Sequence, residues 1–285
     1  MIEMYKVDVH VHPLLVSEIL EKYSALLSKV REIFGIGTAP QPVEIILRQM
    51  DIADIDKVIL LPIDCRTRFG VELPPIEAVM ELVEKYPDRL LGFTSIDPMR
   101  ADAVELLKKQ VSKYEVKGVK LNPALQGFNP LDNKVLEFLK KCMELELPVL
   151  VHTGHVWTER DNVEYVNPLI WDRIATLIPD LKIILAHMGF PWLWETFIVL
   201  TRHKNVYTDI SNVYTGSPME HLKYILTEAL PRRIIERFLS DKVIFGSDYP
   251  RIEINKMAEA LDRLDIDSQV KERIYGLNLR KVVKL

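Results

Sequence analysis

The sequence predicts an α/β fold, specifically a single (β/α)8 TIM barrel, and three observations favour it. Short β-branched or apolar runs alternate with longer segments of helical period along the whole 285-residue chain, as in repeated βα units. Eight strand-like runs occur, and eight parallel strands joined by right-handed crossovers can close into a barrel. The length also suits one barrel, since such domains commonly reach about 250 residues. We therefore expect one domain over residues 1–285.

The individual strands and helices follow from this alternation. The strand-like runs are residues 6–12, 57–64, 90–96, 116–121, 148–152, 181–187, 205–209 and 242–247. Apolar residues recur at intervals of three and four over residues 43–55, 76–86, 101–114, 133–145, 168–177 and 191–203, which predicts barrel helices. Residues 18–34 are predicted to form an inserted helix above the carboxyl-terminal mouth, where it could be part of a lid. Residues 267–285 are predicted to be a helical extension that packs outside the barrel.

Composition and charge restrict the classes of partner. With 48% hydrophobic and 27% charged residues, the chain has the composition of a soluble globular protein. A net charge of −4 offers no basic face for a nucleic acid. Since no apolar run reaches the roughly 18 residues that span a bilayer and no signal peptide is recognisable, we expect no membrane contact and a cytoplasmic location. Cys65 and Cys142 lack the paired spacing of a zinc or redox motif, and no disulfide is expected.

The chemistry is expected at the carboxyl-terminal ends of the strands, where barrel enzymes keep their active sites. Five predicted strands end in residues able to bind a metal or transfer a proton. These residues are His10 and His12, then His152, His187, Asp209 and Asp248. Their common position is the main evidence for an active site.

The His-X-His motif of the first strand points both imidazoles to one face. A strand has a period of two, so His10 and His12 share a side, and near a barrel mouth that side is the interior. Asp8 has the same parity one step deeper and could accept a hydrogen bond from an imidazole N–H. Taken alone, the motif is more typical of a polar strand edge than of a metal site.

Each of the other candidates also has an ordinary interpretation. His152 follows the buried run Pro-Val-Leu-Val, where a hydrogen-bonded core histidine would also fit. His187 repeats this arrangement on the next strand, which favours a shared site, whereas Asp248 could cap the following helix as readily as bind a metal. Considered together, three imidazoles and a carboxylate meet the preference of Zn²⁺ for three or four N/O ligands. His203 and His221 fall in helical stretches and are interpreted as surface or packing residues.

Five motifs, in order along nearly the whole chain, resemble the amidohydrolase superfamily. They are Asp8-Val-His-Val-His12, Gly118-Val-Lys-Leu-Asn-Pro123, Val151-His-Thr-Gly154, Ala186-His-Met-Gly189 and Phe245-Gly-Ser-Asp-Tyr-Pro250. The closer similarity is to the amidohydrolase-related branch. That branch contains metal-dependent hydrolases and the non-oxidative decarboxylases of aminocarboxymuconate semialdehyde and γ-resorcylate.

The resemblance implies one divalent metal ion, with Zn²⁺ as the first choice and Mn²⁺, Fe²⁺ and Co²⁺ as alternatives. The implied ligands are His10, His12, His152 and Asp248. His187 would lie close to the metal-bound water. Lys120 lies where binuclear relatives carry a carboxylated lysine, which leaves a second metal open; contact with substrate or a neighbouring carboxylate is preferred, and a structural role is a further alternative. The branch also commonly forms homodimers.

The predicted function is hydrolysis of an amide, ester or lactone bond in a small polar substrate by a metal-activated water. Asp248 and His187 are the predicted proton carriers. The alternative is a metal-dependent non-oxidative decarboxylase of an unsaturated or aromatic carboxylic acid, and a third hypothesis is a scaffold that has lost catalysis. Hydrolysis is preferred because the chain lacks long insertions around the barrel and the arginine pattern of the decarboxylases is not evident.

Several residues near the mouth are candidates for contacting the substrate or supporting the metal ligands. They are Asp8, Lys120, His155, Arg66, Arg68, Tyr249 and Arg251. Arg66 and Arg68 follow the second strand and could hold a substrate carboxylate through paired hydrogen bonds. A single arginine in such a position is more often solvated or paired with a loop carboxylate.

Overall fold

Ten strands occur in the computed structural model, which describes residues 6–157 and 159–285. In chain order they are β1 (Val7–Val11), β2 (Lys57–Leu60), β3 (Ile63–Cys65), β4 (Val71–Leu73), β5 (Leu90–Gly92), β6 (Val119–Leu121), β7 (Val149–Val151), β8 (Ile183–Leu185), β9 (Val206–Asp209) and β10 (Val243–Ile244). Eight are parallel and form two groups, β1-β2-β5 and β10-β9-β8-β7-β6, whereas β3 and β4 form an antiparallel hairpin. These eight are the predicted strands, and each is shorter than predicted.

Backbone hydrogen bonds join the two parallel groups at both edges. At one edge, Thr94 accepts from the N–H of Lys120 (2.7 Å) and donates to the carbonyl of Gly118 (2.9 Å), which links β5 to β6. At the other, Val9 donates to Phe245 (3.1 Å) and Asp248 donates to His10 (2.9 Å), which links β10 to β1. A closed barrel leaves no free strand edge. The predicted (β/α)8 architecture is confirmed.

The helices surround the strands, and all except the short Arg66–Phe69 and Arg232–Ile234 contain buried residues. Their bounds are Ser17–Lys22, Leu26–Phe34, Glu44–Ala53, Arg66–Phe69, Ile76–Lys85, Ala103–Lys113, Pro123–Gln126, Asn133–Glu144, Pro168–Leu177, Leu193–Arg202, Pro218–Lys223, Arg232–Ile234, Ile254–Arg263 and Ser268–Glu272. In Ile254–Arg263 the buried residues Ile254, Met257, Ala258 and Leu261 follow the helical spacing of three and four. None of the helices in the described part of the chain is long and apolar enough to cross a membrane.

The insertion after β1 lies at the mouth, as predicted, but consists of two helices. The predicted single helix over residues 18–34 is divided into Ser17–Lys22 and Leu26–Phe34. The second helix buries Leu26 and Val30 and ends at Gly35, whose φ of 64° is left-handed. Residues 32–36 form part of the wall of the central cavity. The insertion therefore takes part in enclosing the site.

The first part of the last segment packs outside the barrel, as predicted, through residues such as Ile274, but the end of the segment closes the barrel interior. Leu279, Val282 and Val283 join the apolar cluster formed by inward-facing strand residues such as Val9 and Phe93. Their spacing of three and four gives a continuous apolar face at the end of the chain. The sequence pattern identifies that face correctly, but the surface it covers is the open end of the barrel.

Candidate metal centre

Three donor atoms converge at the carboxyl-terminal end of β1 and β10. Nε2 of His10 and Nε2 of His12 are 3.2 Å apart, and Oδ1 of Asp248 lies 3.4 Å from the first and 3.7 Å from the second. All three residues are buried. Bonds of about 2.1 Å to a tetrahedral ion place ligand atoms roughly 3.4 Å apart. These distances therefore fit one shared divalent ion.

The hydrogen bonds of the two imidazoles show which nitrogen carries the proton. Nδ1 of His12 donates to the carbonyl oxygen of Leu61 (2.8 Å), and Nδ1 of His10 donates to Oδ2 of Asp209 (2.9 Å). Burial lowers the pKa of both imidazoles well below the ordinary value, so both rings are neutral. Two Nε2 lone pairs therefore face each other, an arrangement that a cation between them stabilises.

His152 and His187 form a second pair of facing nitrogens. Nδ1 of His152 is 3.1 Å from Nε2 of His187. Nε2 of His152 donates to the carbonyl oxygen of His155 (3.1 Å), and Nδ1 of His187 contacts that of Ser211 (3.1 Å). Burial lowers the pKa of His152 to about 3. Within the described residues, His152 lies beside His187 and is not one of the mutually close donors around His10.

Lys120 on β6 lies beside the first donor group. Its side chain is fully buried, and Nζ donates to Nε2 of His10 at 2.9 Å. Burial lowers the pKa of Lys120 to about 8, while Asp209 and Asp248 act in the opposite direction. The predicted position of Lys120 near the metal ligands is thus observed, and its ammonium points at the lone pair that His10 would offer to an ion.

Two further residues have close contacts to the site: Asp209, which was predicted at a strand end without an assigned role, and Ser211, which was not predicted. Oδ1 of Asp209 accepts from the backbone N–H groups of His187 (2.8 Å) and Ser211 (3.0 Å). The hydroxyl of Ser211 lies 2.9 Å from Nδ1 of His10 and 2.8 Å from Nδ1 of His187. Asp209 ends β9, and Ser211 has the same parity two residues later, so the period of two was the available signal.

Asp8 does not accept a hydrogen bond from an imidazole, and this part of the prediction is wrong. Its Oδ1 accepts from the backbone N–H groups of His10 (2.9 Å) and Ser247 (3.0 Å), and among the described residues its buried Oδ2 has no hydrogen-bond partner. Burial raises the pKa of Asp8 to about 7. Because Asp8 lies one step deeper in β1, its carboxyl group joins the backbones of β1 and the segment after β10. Asp209 has the role that was predicted for Asp8, since its Oδ2 accepts the hydrogen bond from an imidazole, that of His10.

Several residues that carry the site have left-handed backbones. The φ angles are 62° at His187, 48° at Met188, 68° at Asn212 and 69° at Asp248. Such conformations are rare for residues other than glycine and cost on the order of 1–3 kcal/mol each. Their concentration where β8, β9 and β10 end shows that the chain turns sharply there, which aims side chains into the cavity.

A cavity of about 300 Å³ opens above the donor atoms. Its wall includes Lys120, His155 and Arg251, three of the residues predicted to contact the substrate or support the ligands, and also Asn122 and Asn212. Tyr249 does not lie in this wall, because its side chain is buried in the apolar core while its carbonyl accepts from the N–H of His12 (2.8 Å). The volume lies at the lower end of the range for small-molecule sites.

Arg66 and Arg68 do not reach this cavity, contrary to prediction. The chain after β2 turns into the β3–β4 hairpin, and Arg66 forms an ion pair across it with Glu72 (2.8 Å). Arg68 pairs with Asp161 (2.7 Å) and donates to the carbonyl of Ala124 (2.6 Å). Both guanidinium groups are engaged with protein acceptors, which is the ordinary interpretation given above.

The mouth of the cavity carries aromatic rings and one arginine. Trp157 lies 6.0 Å from Tyr214 with an interplanar angle of 21°, and 4.6 Å from His155. The guanidinium carbon of Arg251 lies 5.8 Å from the Trp157 ring, and Nη2 donates to the carbonyl of Phe34 (3.0 Å). Flat apolar surface and a cation therefore lie side by side at the entrance.

Comparison with known proteins agrees with this architecture. The amidohydrolase family model matches residues 7–285, whereas no curated protein gives a match. An uncharacterised TIM-barrel protein from Bordetella bronchiseptica is 20% identical with a TM-score of 0.75, and 98% of each chain is covered. A dihydroxybenzoic acid decarboxylase from Polaromonas sp. JS666 with bound manganese is 17% identical with a TM-score of 0.66, covering 98% of this chain and 97% of that one. A probable 2-pyrone-4,6-dicarboxylic acid hydrolase from Acinetobacter baumannii is 17% identical with a TM-score of 0.65, covering 98% and 99%.

These solved structures share the fold at low identity, whereas the family match extends over nearly the whole chain. The family is metal-dependent, and the described residues offer two candidate ligand groups. One is His10, His12 and Asp248, and the other is His10, His187 and Asp209. The chain therefore belongs to the amidohydrolase family.

Proposed function

We propose that the protein is a metal-dependent hydrolase that cleaves an amide, ester or lactone bond in a small substrate carrying a carboxylate. The observation that carries the proposal is the donor group formed by Nε2 of His10, Nε2 of His12 and Oδ1 of Asp248, with separations of 3.2–3.7 Å. A divalent ion held there would act as a Lewis acid and lower the pKa of a bound water to about 7.

Asp248 is the proposed proton carrier. Burial raises its pKa to about 7, against the opposing effect of Lys120 and Arg251. A divalent ion bound to Oδ1 would favour the ionised carboxylate, so the metal-loaded site would hold Asp248 as a base ready to accept a proton. Because Oδ1 faces the imidazoles, Oδ2 is the atom that exchanges the proton. His187 is the second candidate, through Nε2, since its Nδ1 contacts the Ser211 carbonyl.

Arg251 is proposed to bind the substrate carboxylate at the mouth. It lies in the cavity wall, and its charge acts on Asp248 and His12. One of its five N–H donors is directed to Phe34, which leaves others for a ligand. Asn122 and Asn212, also in the wall, offer amide groups to neutral polar atoms of the substrate. The site thus has a cation at the entrance and metal-binding groups at its base.

A decarboxylase of an aromatic or unsaturated acid is the second candidate, and the aromatic mouth favours it. Trp157 lines the cavity and offers a flat apolar ring to a planar substrate, and this ring stacks on that of Tyr214, with centroids 6.0 Å apart. The neighbour from Polaromonas is named as a dihydroxybenzoic acid decarboxylase. In this reaction Asp248 or His187 would deliver a proton to the ring or olefin carbon that loses CO₂.

We propose Zn²⁺ as the ion at His10, His12 and Asp248, because imidazole and carboxylate ligands suit it; Mn²⁺ is the first alternative, since one neighbour contains it. The facing nitrogens of His152 and His187, 3.1 Å apart, would hold a second ion. In that case Lys120, 2.9 Å from Nε2 of His10, would be the residue available for carboxylation. Metal stoichiometry distinguishes one ion from two.

Metal analysis with matched variants tests the metal site. The protein as purified should contain one or two equivalents of a first-row metal by elemental mass spectrometry. The double variant His10→Ala, His12→Ala should contain less than a tenth of this amount, whereas His203→Ala should be unchanged, because His203 pairs with Asp172 on the outer helices. Equal metal in the double variant and in His203→Ala would contradict the site.

A substrate panel separates the two reactions. Carboxylated amides, esters and lactones are assayed for hydrolysis, and benzoate and muconate-type acids for release of CO₂. We expect hydrolysis that requires added metal and is lost in the double variant. Release of CO₂ from planar acids, with the hydrolytic substrates intact, would instead establish the decarboxylase.

A further inference from the structure

We infer that Asp209 and Ser211 are positioning residues that fix the proton of both His10 and His187 on Nδ1, so that Nε2 of each ring faces the cavity. This inference rests on the proposed metal site for its purpose, but the position of the protons can be measured without a metal. Asp209 ends β9, and Ser211 follows two residues later; both are fully buried. Four side-chain contacts join these two residues to the two imidazoles and to each other, and they form one closed network.

The hydrogen bonds to Asp209 leave one acceptor atom for His10. Oδ1 of Asp209 already accepts from the backbone N–H of His187 (2.8 Å), the backbone N–H of Ser211 (3.0 Å) and the Ser211 hydroxyl (2.5 Å). Oδ2 therefore faces Nδ1 of His10 alone, at 2.9 Å. A carboxylate oxygen can only accept, so Nδ1 of His10 must be the donor.

The single proton of Ser211 fixes the second ring. Because the hydroxyl donates to Oδ1 of Asp209, Oγ accepts from Nδ1 of His187 at 2.8 Å. At 2.9 Å from Nδ1 of His10, it shares the single proton of that nitrogen with Oδ2 of Asp209. The other neighbour of the His187 Nδ1 is the backbone carbonyl of Ser211, at 3.1 Å, which also only accepts. Both rings are thereby Nδ1-protonated.

The consequence is that two imidazoles from different strands present unprotonated Nε2 atoms together. The rings of His10 and His187 stack with centroids 4.9 Å apart and an interplanar angle of 29°. Groups that orient metal-binding histidines in this way typically change metal affinity by about 10–100-fold when they are removed. One carboxylate and one hydroxyl thus position two rings, and the same carboxylate holds the left-handed backbone at His187.

Asp209→Asn is the sharpest variant, because it keeps the shape and reverses one hydrogen bond. The amide oxygen should stay where three donors point, at the position of Oδ1. The amide nitrogen then replaces Oδ2 and donates to Nδ1 of His10. The ring must move its proton to Nε2, where it faces His12 and blocks metal binding.

The test uses metal-free protein labelled with ¹⁵N-histidine, with tautomers assigned from two- and three-bond ¹H–¹⁵N correlations. In the wild type, His10 and His187 should show the Nδ1–H pattern. In Asp209→Asn, His10 should change to Nε2–H, and the affinity for Zn²⁺, measured by competition with a chelator, should fall at least about 10-fold. In Ser211→Ala, His10 should keep its tautomer because Asp209 remains. His187 should show a mixture of tautomers, because only the more distant backbone carbonyl of residue 211, at 3.1 Å, still accepts from its Nδ1.

Thr208→Val is the matched control, since it removes a buried hydroxyl on the same strand that donates to Leu185 (2.7 Å) and contacts no imidazole. Its tautomers and Zn²⁺ affinity should equal those of the wild type. A folded Asp209→Asn protein with the wild-type tautomers would overturn the inference. If that variant does not fold, Ser211→Ala decides, and an unchanged His187 spectrum overturns it. An absence of hydrolase activity would refute the proposed function and leave the tautomer result standing.

Discussion

The two ends of the barrel interior differ in chemistry although the same strands form both. At the carboxyl-terminal end, the interior holds buried ionisable groups, among them His10, Lys120 and Asp209. At the other end it holds the apolar cluster of Val7, Val9, Ile59, Leu61, Leu91, Phe93, Leu150, Ile184, Ala186, Tyr207, Ile244, Leu279, Val282 and Val283. The strands thus divide their length between a site and a core.

This difference indicates that the ends contribute oppositely to stability. Buried apolar groups stabilise the fold by roughly 25 cal/mol per Å² removed from water. Buried charges and left-handed backbones such as those of His187 and Asp248 destabilise it. The apolar end should therefore carry the folding free energy that the mouth requires, and changes at the two ends should have separable effects.

Leu279→Ala should have the largest effect on stability. Leu279 is fully buried in the apolar cluster, and truncating a buried leucine lowers the free energy of unfolding by about 2–5 kcal/mol. Denaturant unfolding followed by circular dichroism measures this loss. The folded variant should still bind metal with the affinity of the wild type, because the donor atoms lie at the other end.

Leu277→Ala is the control for this change, since Leu277 lies in the same segment but is 38% exposed. Its unfolding free energy should change by about 0.5 kcal/mol or less. Equal losses in the two variants, or a loss of metal affinity in Leu279→Ala, would show that the ends are not separable.

Removal of the metal should lower the stability of the protein only through loss of the ion bound at the mouth. At a free-ion concentration of 100 times Kd, binding of the ion to the native state raises the free energy of unfolding by about 2.7 kcal/mol. Addition of a chelator should therefore lower the thermal midpoint of the wild type and leave the double variant His10→Ala, His12→Ala unaffected. The same decrease in both proteins would place the bound metal elsewhere.

Replacement of two buried lysines compares the effect of a buried charge on stability at the two ends. Lys120 is at the mouth, and its ammonium contacts an imidazole nitrogen; Lys242, at the start of β10, donates to the carbonyls of His203 (2.9 Å) and Lys204 (3.0 Å). Lys120→Met should leave metal-free stability unchanged or raise it by about 1 kcal/mol, because a buried charge is removed. Lys242→Met should lower it by roughly 1–3 kcal/mol, because two carbonyls lose their donor.

Chemical denaturation of the metal-free proteins measures both lysine effects. Lys120→Met should also lower activity in the metal-loaded enzyme, whereas Lys242→Met should not. A marked destabilisation by Lys120→Met would mean that this ammonium stabilises the mouth, and the contrast between the ends would be smaller than argued here.

The division between the ends also explains which features of the fold could be predicted from the sequence. Apolar runs identified all eight parallel strands, because the pattern of buried residues in a strand depends only on neighbouring positions in the sequence. Six of them were predicted to end too far along the chain, whereas the ends of β6 and β9 were predicted correctly. At β8 and β10 the left-handed backbones of His187 and Asp248 terminate the ladder while the residue types continue the pattern. The face that Leu279 contributes was also evident, but the surface it covers depends on tertiary packing.

The site was predictable to a similar extent. Strand parity and strand ends were sufficient to bring His10, His12 and Asp248 together. The period of two indicates the positions of Asp209 and Ser211, but their roles depend on which atoms donate and which accept in the folded chain. The hairpin that draws Arg66 and Arg68 away from the cavity follows from the pairing of β3 with β4, which short polar segments do not reveal.

The smallest expected effect concerns the two cysteines, which probe local opening at different places. Cys65 ends β3 near the mouth, and Cys142 lies in the helix Asn133–Glu144; burial raises the pKa of both thiols above the ordinary range. Neither should react with iodoacetamide at pH 8 in the native protein. In low guanidinium, Cys65 should react first, because a short hairpin opens at lower free energy than a barrel helix. Peptide mass spectrometry measures the rates at which the two thiols are alkylated. Earlier modification of Cys142 would show that the mouth is the more stable end.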